Sequence, residues 1–150
     1  MMRTTVQVDR YTAQIDELLH AVSAITKRQG RELMAEFDVT PPQCEALLVL
    51  QEFGGLAMGE LCQKVGSACS TATDLIDRME RNGYVERVRD TNDRRVIRLR
   101  ITPKGEEVVA KVQQSSRNHL AEHLKAMDLS DKERLIQSLE QLHDLLKRAI

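Results

Sequence analysis

The sequence predicts a mainly α-helical protein of 150 residues that carries one small β-hairpin. Only 3% of the residues are aromatic and none is Trp, while Leu, Ile, Val and Met are plentiful, which favours packing between helices over a β-sandwich. Most segments repeat apolar residues at intervals of three or four and are separated by helix-capping signals. One stretch instead alternates apolar and polar residues, as two short strands do.

The first predicted helix carries a heptad-like apolar seam close to the N-terminus. Its apolar residues recur at spacings of three and four: Val8, Tyr11, Ile15, Leu18, Val22 and Ile25, extended by Leu33 and Phe37. A narrow seam of this length needs a partner surface, which could be the rest of its own domain or a helix of a second copy of the chain. A second helix, Pro41 to Phe53, is predicted after Thr40, because Gln43 gives the spacing of a capping box, and Gly54 ends it.

A short helix, a turn and a further helix come next, an order that can hold one helix in a DNA groove. Met58 to Val65 is the short helix, with Leu61 and Cys62 inward, and Gly66 breaks it before the helix from Ser67 to Asn82. The buried side of this longer helix is predicted to be Leu75, Ile76 and Met79. Its other side displays Ser70, Thr71, Thr73, Asp74 and Arg78. Short hydroxyl side chains allow close approach to DNA. A helix start rich in Ser and Thr is equally an ordinary capping signal.

The predicted hairpin consists of strands Tyr84 to Arg89 and Val96 to Ile101, which follow a helix end at Asn82-Gly83. In the second strand Ile97, Leu99 and Ile101 share one face, and Arg98 and Arg100 share the other. Between Arg78 and Lys104 nine basic and four acidic residues give +5, although the whole chain carries −1. This local charge favours phosphate contacts, with a merely solvated hairpin as the alternative.

The C-terminal third returns to helix. Thr102-Pro103 predicts the start of a helix that runs to about Met127, and Ser130 with Glu133 predicts a capping box for the last helix. The last helix repeats the four-and-three spacing with Leu135, Leu139, Leu142, Leu146 and Ala149. Both ends of the chain therefore carry apolar seams. If they pack together and are duplicated by a two-fold axis, they would form a helical dimerisation region.

Several classes of protein are excluded by what the sequence lacks. The longest apolar run, Ala46 to Leu50, is far too short to span a membrane, and the N-terminus does not resemble a signal peptide, so we expect a cytoplasmic protein without membrane contact. Three cysteines without a CxxC pair favour reduced thiols over disulfides or a zinc knuckle. No nucleophile–base set or phosphate-binding glycine loop stands out, so neither an enzyme nor a cofactor is predicted.

The stretch VGSACSTATDLIDRMERNGYVERVRDTNDRRVIRLRITPKG resembles the recognition helix, wing and following helix of the MarR (multiple antibiotic resistance regulator) family of winged helix-turn-helix regulators. VTPPQCEALLVL is similar to the family's second helix and MGELCQKV to its third, so the resemblance covers essentially the whole chain. Its most specific part is the wing motif Asp93-Arg94-Arg95. The resemblance implies one winged helix-turn-helix domain at about 40–102, with dimerisation helices at about 6–37 and 103–150.

The resemblance also implies a function. It predicts a homodimer that binds double-stranded DNA at a pseudo-palindromic operator, represses transcription, and is released by a small-molecule effector or a stress signal. The DNA-binding residues that it implies are Ser67, Ser70, Thr71, Thr73 and Arg78 on the recognition helix and Arg87, Asp93, Arg94 and Arg95 in the wing. Arg95 would enter the minor groove, Asp93 would brace the wing, and Arg94 and Arg87 would lie near phosphates. The sequence departs from the family at Ala68, where a small hydroxyl residue often caps the helix, so either Ser67 caps it or the helix starts unusually.

Two alternatives to a ligand-released DNA-binding repressor stay open. The same dimer could serve mainly as a protein-interaction module, which the salt dependence of DNA binding would distinguish. The other alternative is a repressor that senses oxidants through Cys69. A thiol near a helix N-terminus and near cations can have a lowered pKa, although a free Cys is often only a small buried residue.

His119 and His123, at i and i+4, have the spacing of metal ligands but no evident third ligand. The sequence therefore favours two polar side chains and no metal.

Overall fold

The computed structural model describes residues 7–66 and 68–148 of the chain. Ser67 and Ala149, both named in the predictions above, lie outside the described residues, as does the side chain of Cys69. The described part contains helices and strands in the order α1 (Arg10–Glu36), α2 (Pro41–Phe53), β1 (Leu56–Ala57), α3 (Met58–Val65), α4 (Cys69–Arg81), β2 (Val85–Arg89), β3 (Ile97–Ile101), α5 (Pro103–Leu124) and α6 (Leu129–Lys147). The predicted mainly α-helical fold with a small hairpin is confirmed.

The helices α2 and α3 have the predicted bounds because their ends are determined locally. At the start of α2 the Thr40 hydroxyl accepts a hydrogen bond from the Gln43 backbone N–H at 3.4 Å, and the Gln43 side chain accepts one from the Thr40 N–H at 3.0 Å. This is the predicted capping box. At the end of α3, Gly66 adopts the left-handed conformation with φ 65°, which a glycine takes without steric cost.

The helix α4 begins two residues later than predicted. Its N-cap is Ala68, which has no side-chain oxygen and makes no capping hydrogen bond. At the other end the prediction is confirmed, since Gly83 has φ 77° and the Tyr84 N–H donates to the Met79 carbonyl at 2.9 Å. This bond closes the helix in a Schellman-like turn and directs the chain into β2.

The sheet has three strands, one more than the predicted hairpin. The strand order is β1-β3-β2 and both pairs are antiparallel. Leu99 of the central strand β3 therefore pairs with Leu56 of β1 on one side and with Arg87 of β2 on the other. Leu99 is buried and Ile101 half-buried, but Ile97 is 50% exposed, so the predicted apolar face reaches the core only over its second half. The two-residue strand β1 was missed because its pairing partner lies about forty residues further along the chain.

The core gathers around α2, α4 and the sheet. Its fully buried side chains are Leu47, Leu50, Leu61, Ile76, Met79, Val85, Leu99 and Val109. The chain divides into two compact units, one ending at Val112 and the other beginning at Gln113, and this core lies entirely within the first. None of the helices in the described part combines the length and the apolar character that a membrane crossing requires.

A tight junction connects the hairpin to α5. The Thr102 hydroxyl donates to the Gly83 carbonyl at 2.5 Å and accepts from the Gly105 N–H at 3.1 Å, which caps α5 as predicted. The Lys104 ammonium donates to the Asn82 carbonyl at 2.8 Å. Gly105 packs so closely that a Cβ there would overlap the Tyr84 carbonyl oxygen. The end of α4 and the first turn of α5 are thus in direct contact.

The two C-terminal helices differ from prediction at the turn between them. The helix α5 ends at Leu124, before the predicted Met127, and α6 starts at Leu129. The predicted capping box of Ser130 and Glu133 is wrong. The Asp128 carboxylate accepts from the Asp131 N–H at 2.8 Å instead, because this aspartate offers the same type of cap two residues earlier.

Candidate nucleic-acid interface

The face of α4 that points away from the core is polar and accessible. Ala72, Ile76 and Met79 are at most 1% exposed on the inner side, as the 3.6-residue period requires. The outer side carries the predicted set of exposed side chains: Ser70, Thr71, Thr73, Asp74 and Arg78. Because the hydroxyl side chains among them are short, this side of the helix can come close to the floor of a DNA groove.

A shallow groove of about 410 Å³ runs beside this face, between α4 and the first turn of α2. Pro42 and Gln43 line one wall, and Ser70, Thr71 and Arg78 belong to the other. The Gln43 side chain is committed to capping α2, so its contribution is to the shape of the wall. Pro42 and Gln43 were not anticipated as neighbours of the recognition helix, since only tertiary packing brings α2 to this place.

The tip of the wing, residues 90–96, is held by its own backbone and by the carboxylates of Asp90 and Asp93. The Asp90 N–H donates to the Val96 carbonyl at 2.9 Å, and the Val96 N–H donates to the Asp93 carbonyl at 3.0 Å. The Asp93 side chain accepts from the Arg95 N–H at 3.0 Å. Arg94 and Arg95 are exposed, and no ion pair joins either side chain to a described residue. The loop therefore presents two unpaired guanidinium groups on a constrained backbone.

Arg87 is oriented toward α4, to which it makes two ion pairs. Its Nη2 lies 2.6 Å from Asp77 and its Nη1 lies 3.0 Å from Glu80. The hydrogen bond to Asp77 is the main cause that raises the pKa of Arg87. Because both ends of the guanidinium are occupied by carboxylates, this arginine stabilises the contact of β2 with α4. Its predicted place near a phosphate stays a prediction.

Arg98 makes a second cross-connection, which sequence reasoning missed. Its Nε donates to the Asp90 carboxylate at 2.9 Å, and its Nη1 donates to the Gly55 carbonyl at 3.3 Å and lies 3.5 Å from Glu60. Glu60 also accepts from the Ala57 N–H at 2.8 Å at the start of α3. The pKa of Asp90 is lowered, first by the Asn92 N–H and then by Arg98. Arg98 thus connects the base of the wing with β1 and α3.

The remaining arginines of this region contribute positive charge to its surface. With Arg87 and Arg98 neutralised, the exposed arginines that have no ion-pair partner among the described residues are Arg78, Arg81, Arg89, Arg94, Arg95 and Arg100. They belong to α4, β2, the wing tip and β3, so both the helix-turn-helix and the wing carry exposed positive charge. Such a surface attracts the phosphate backbone of DNA.

The other candidate side chains lie elsewhere. Cys44 and Cys62 are buried, and burial raises the pKa of the Cys44 thiol, which disfavours the reactive thiolate. His119 and His123 are adjacent on α5, with 3.3 Å between their Nε2 atoms. Among the described residues, no group of three or more His, Cys, Asp or Glu side chains could hold a metal ion.

Comparison with known proteins identifies the family. The family model described as "MarR family" matches residues 39–97. The HTH-type transcriptional regulator YsmB of Bacillus subtilis is 46% identical over 102 residues, which cover 68% of this chain and 70% of that protein. The transcriptional repressor MprA of Escherichia coli is 29% identical over 126 residues, covering 83% of this chain and 71% of that protein.

Solved structures agree with this result. A MarR family protein from Bacillus stearothermophilus superposes with a TM-score of 0.85 at 39% identity, covering 95% of this chain and 99% of that chain. The fold is shared with a MepR mutant from S. aureus that was solved bound to an oligodeoxyribonucleotide, with a TM-score of 0.70 at 18% identity over 88% of this chain and 97% of that chain. The chain therefore belongs to the MarR family of winged helix-turn-helix transcriptional regulators, a family of DNA-binding proteins and not of enzymes.

Proposed function

We propose that this protein is a cytoplasmic, homodimeric repressor that binds a pseudo-palindromic operator and leaves it when a small molecule binds. The observation that carries this proposal is the set of exposed arginines on α4 and the wing that have no ion pair within the described part of the chain, together with the exposed hydroxyl-bearing face of α4. Repression is supported by the relatives MprA and MdtR, which are named as repressors.

The recognition helix α4 would enter the major groove with its exposed hydroxyl face. Thr71 and Thr73 can contact phosphates, base edges or thymine methyl groups, and Arg78 can donate to a guanine or a phosphate. Arg95 at the wing tip would enter the adjacent minor groove, where the negative potential is concentrated. Asp93 would act as a positioning residue, since it accepts from the Arg95 backbone N–H at 3.0 Å.

The homodimer is supported by apolar side chains that have no cover in the single chain. Neither α1 nor α6 contains a buried residue. On α1 and just before it, six seam residues are 48–66% exposed: Val8, Tyr11, Ile15, Leu18, Val22 and Ile25. On α6, Leu135, Leu139 and Leu146 are 40–56% exposed. Monomeric proteins rarely expose an apolar seam as long as the one on α1. We therefore assign dimerisation to segments 6–37 and 103–150, and DNA binding to the winged domain at about 40–102.

A site for the small molecule is supported by a cleft of about 400 Å³ between α1 and α2. Met34, Gly30 and Pro41 form its apolar lining, and Lys27 and Arg31 place two cations at its edge. This combination suits a small apolar molecule with an acidic group. Occupation of the cleft would change how α1 packs on α2, whose first turn lies beside α4.

The deciding experiment is selection of bound genomic fragments by the purified full-length protein, at low and at physiological salt. We expect a pseudo-palindromic sequence near a few promoters, and an affinity that falls steeply with salt because several phosphates are neutralised. Size-exclusion chromatography with light scattering should give twice the chain mass, and Leu18→Glu should give the monomer. Binding without sequence preference, or a wild-type monomer at micromolar concentration, would contradict the proposal.

A further inference from the structure

We propose that His119 and His123 on α5 form a two-imidazole chelating site for a divalent transition-metal ion of the Zn²⁺, Ni²⁺ or Cu²⁺ class. The two residues are one helical turn apart, and their Nε2 atoms are 3.3 Å from each other. Their ring centroids are 4.8 Å apart. The sequence spacing alone left these residues as two polar side chains, so the distance between the nitrogens is the new information.

The separation matches a metal-binding pair. In a tetrahedral site with Zn–N bonds of about 2.0–2.1 Å, two imidazole nitrogens on the same ion lie about 3.3–3.4 Å apart. A direct hydrogen bond between them is at the long end of the usual range. It would also fix one ring as donor and the other as acceptor, whereas a metal ion accepts the lone pairs of two neutral rings. The helix therefore places both nitrogens close to the positions that a chelated ion needs.

The surroundings leave the two rings available. His20 lies 3.4 Å from the Asp16 carboxylate and His143 lies 3.4 Å from that of Asp144, but no carboxylate in the described part of the chain pairs with His119 or His123. The nearby Glu122 carboxylate is bound to Lys125 at 2.7 Å. His123 is exposed and His119 half-buried, so an ion can reach them from solvent.

The chemistry of two imidazoles selects the metal class. Imidazole nitrogen suits Zn²⁺, Ni²⁺ and Cu²⁺, whereas Mg²⁺ prefers oxygen ligands. With two protein ligands, water completes the coordination sphere. An ion bound across one turn also stabilises the helical conformation of α5, because it binds the folded pair and not the separated histidines of an unfolded chain.

The test is isothermal titration calorimetry of the full-length protein with ZnCl₂, and titration with MgCl₂ is the control for a cation that prefers oxygen ligands. His119→Gln and His123→Gln each remove one ligand, while His20→Gln and His143→Gln are matched controls at the remaining histidines of the chain. All variants keep the three cysteines, so binding by thiols is the same in each. Circular dichroism checks that the helices are intact.

We expect wild type and both control variants to bind Zn²⁺ with equal affinity and to melt at a higher temperature in its presence. His119→Gln and His123→Gln should each weaken binding by roughly tenfold or more, since changes in the outer shell alone cost 10–100-fold. Mg²⁺ should give no heat. The proposal is overturned by a wild type that does not bind Zn²⁺, or by either ligand variant binding as tightly as wild type.

Discussion

Arg98 donates a hydrogen bond from Nε to the Asp90 carboxylate at 2.9 Å, across the base of the wing. The same guanidinium reaches the Gly55 carbonyl and Glu60, so one side chain connects the hairpin with β1 and with α3. The position of the wing relative to the helix-turn-helix thus depends on a residue that itself need not touch DNA.

The stability of this connection can be measured with Arg98→Met, which keeps an unbranched side chain. We expect the free energy of unfolding to fall by about 1 kcal/mol, since the network is partly exposed and screened by water. Arg89→Met is the matched control, because Arg89 is exposed on the same hairpin without an ion pair in the described part of the chain, and it should change stability by less than about 0.5 kcal/mol. Urea unfolding measures both variants, and an equal loss of unfolding free energy in Arg98→Met and Arg89→Met would contradict this role of Arg98.

The Asp90 carboxyl should make stability depend on pH. Its pKa is held below the ordinary value by the Asn92 N–H and by Arg98. A carboxyl whose pKa is lower in the folded state stabilises the fold above its unfolded pKa of about 3.9, and this contribution disappears as the pH falls through the folded value. Wild type should therefore be more stable than Asp90→Asn at pH 6, and the two should converge in acid. A stability difference that is constant from pH 6 to pH 2 would show that Asp90 acts without its charge.

Arg95→Ala tests the wing tip. We expect the operator affinity to fall about tenfold and the slope of its logarithm against that of salt to drop by about one, because one cation is lost. The free energy of unfolding should not change, since the Arg95 guanidinium has no ion-pair partner among the described residues. Arg117→Ala removes the same charge from the exposed surface of α5 and should leave operator affinity unaltered. Fluorescence anisotropy with a labelled operator measures both variants.

Two glycines near the starts of helices should respond in opposite ways to alanine. Gly105→Ala should destabilise the protein by about 1–3 kcal/mol, because its Cβ would overlap the Tyr84 carbonyl oxygen and the Ile101 side chain. Gly59→Ala has no atom within 4 Å of the new Cβ and should stabilise by up to about 1 kcal/mol through helix propensity. Thermal unfolding of the two variants measures both effects. A Gly105→Ala protein as stable as wild type would disprove the close packing between Gly105 and Tyr84.

The thiols should differ in reactivity. Cys44 is buried and its pKa is raised, and Cys62 is 4% exposed, so neither should react with a thiol reagent such as DTNB while the protein is folded. Cys44→Ala should leave the native reaction unchanged. The redox hypothesis then depends on Cys69 alone: if a Cys69→Ser variant still releases its operator after peroxide treatment, oxidation of Cys69 is not the signal.

The parts of the fold that the sequence predicts well are those determined by neighbouring residues. The capping box of Thr40 and Gln43 and the glycine Gly66 fixed the bounds of α2 and α3 because each signal acts within one turn of its helix. The same kind of signal misled at α6, where Asp128 and Ser130 both offer a cap and only the structure shows which is used. At α4 the cap is Ala68, which carries no side-chain signal.

The parts that could not be predicted depend on contacts between distant segments. The strand β1 exists because Leu56 pairs with Leu99, and Arg98 reaches Gly55 for the same reason. The exposed side of α4 was predicted from helical periodicity, and its arrangement is confirmed. The division of the arginines was not predicted, since the sequence does not show that Arg87 and Arg98 face carboxylates while Arg95 does not.

The junction at Thr102 has a mechanical consequence. The Thr102 hydroxyl binds Gly83, Lys104 binds Asn82, and Gly105 lies against the backbone of Tyr84. Although the hairpin separates them along the chain, the end of the recognition helix and the first turn of α5 are therefore in direct contact in space. A rotation of that turn would therefore rotate the end of α4 with it, and we expect it to shift the exposed Thr73 side chain relative to any DNA bound on this face.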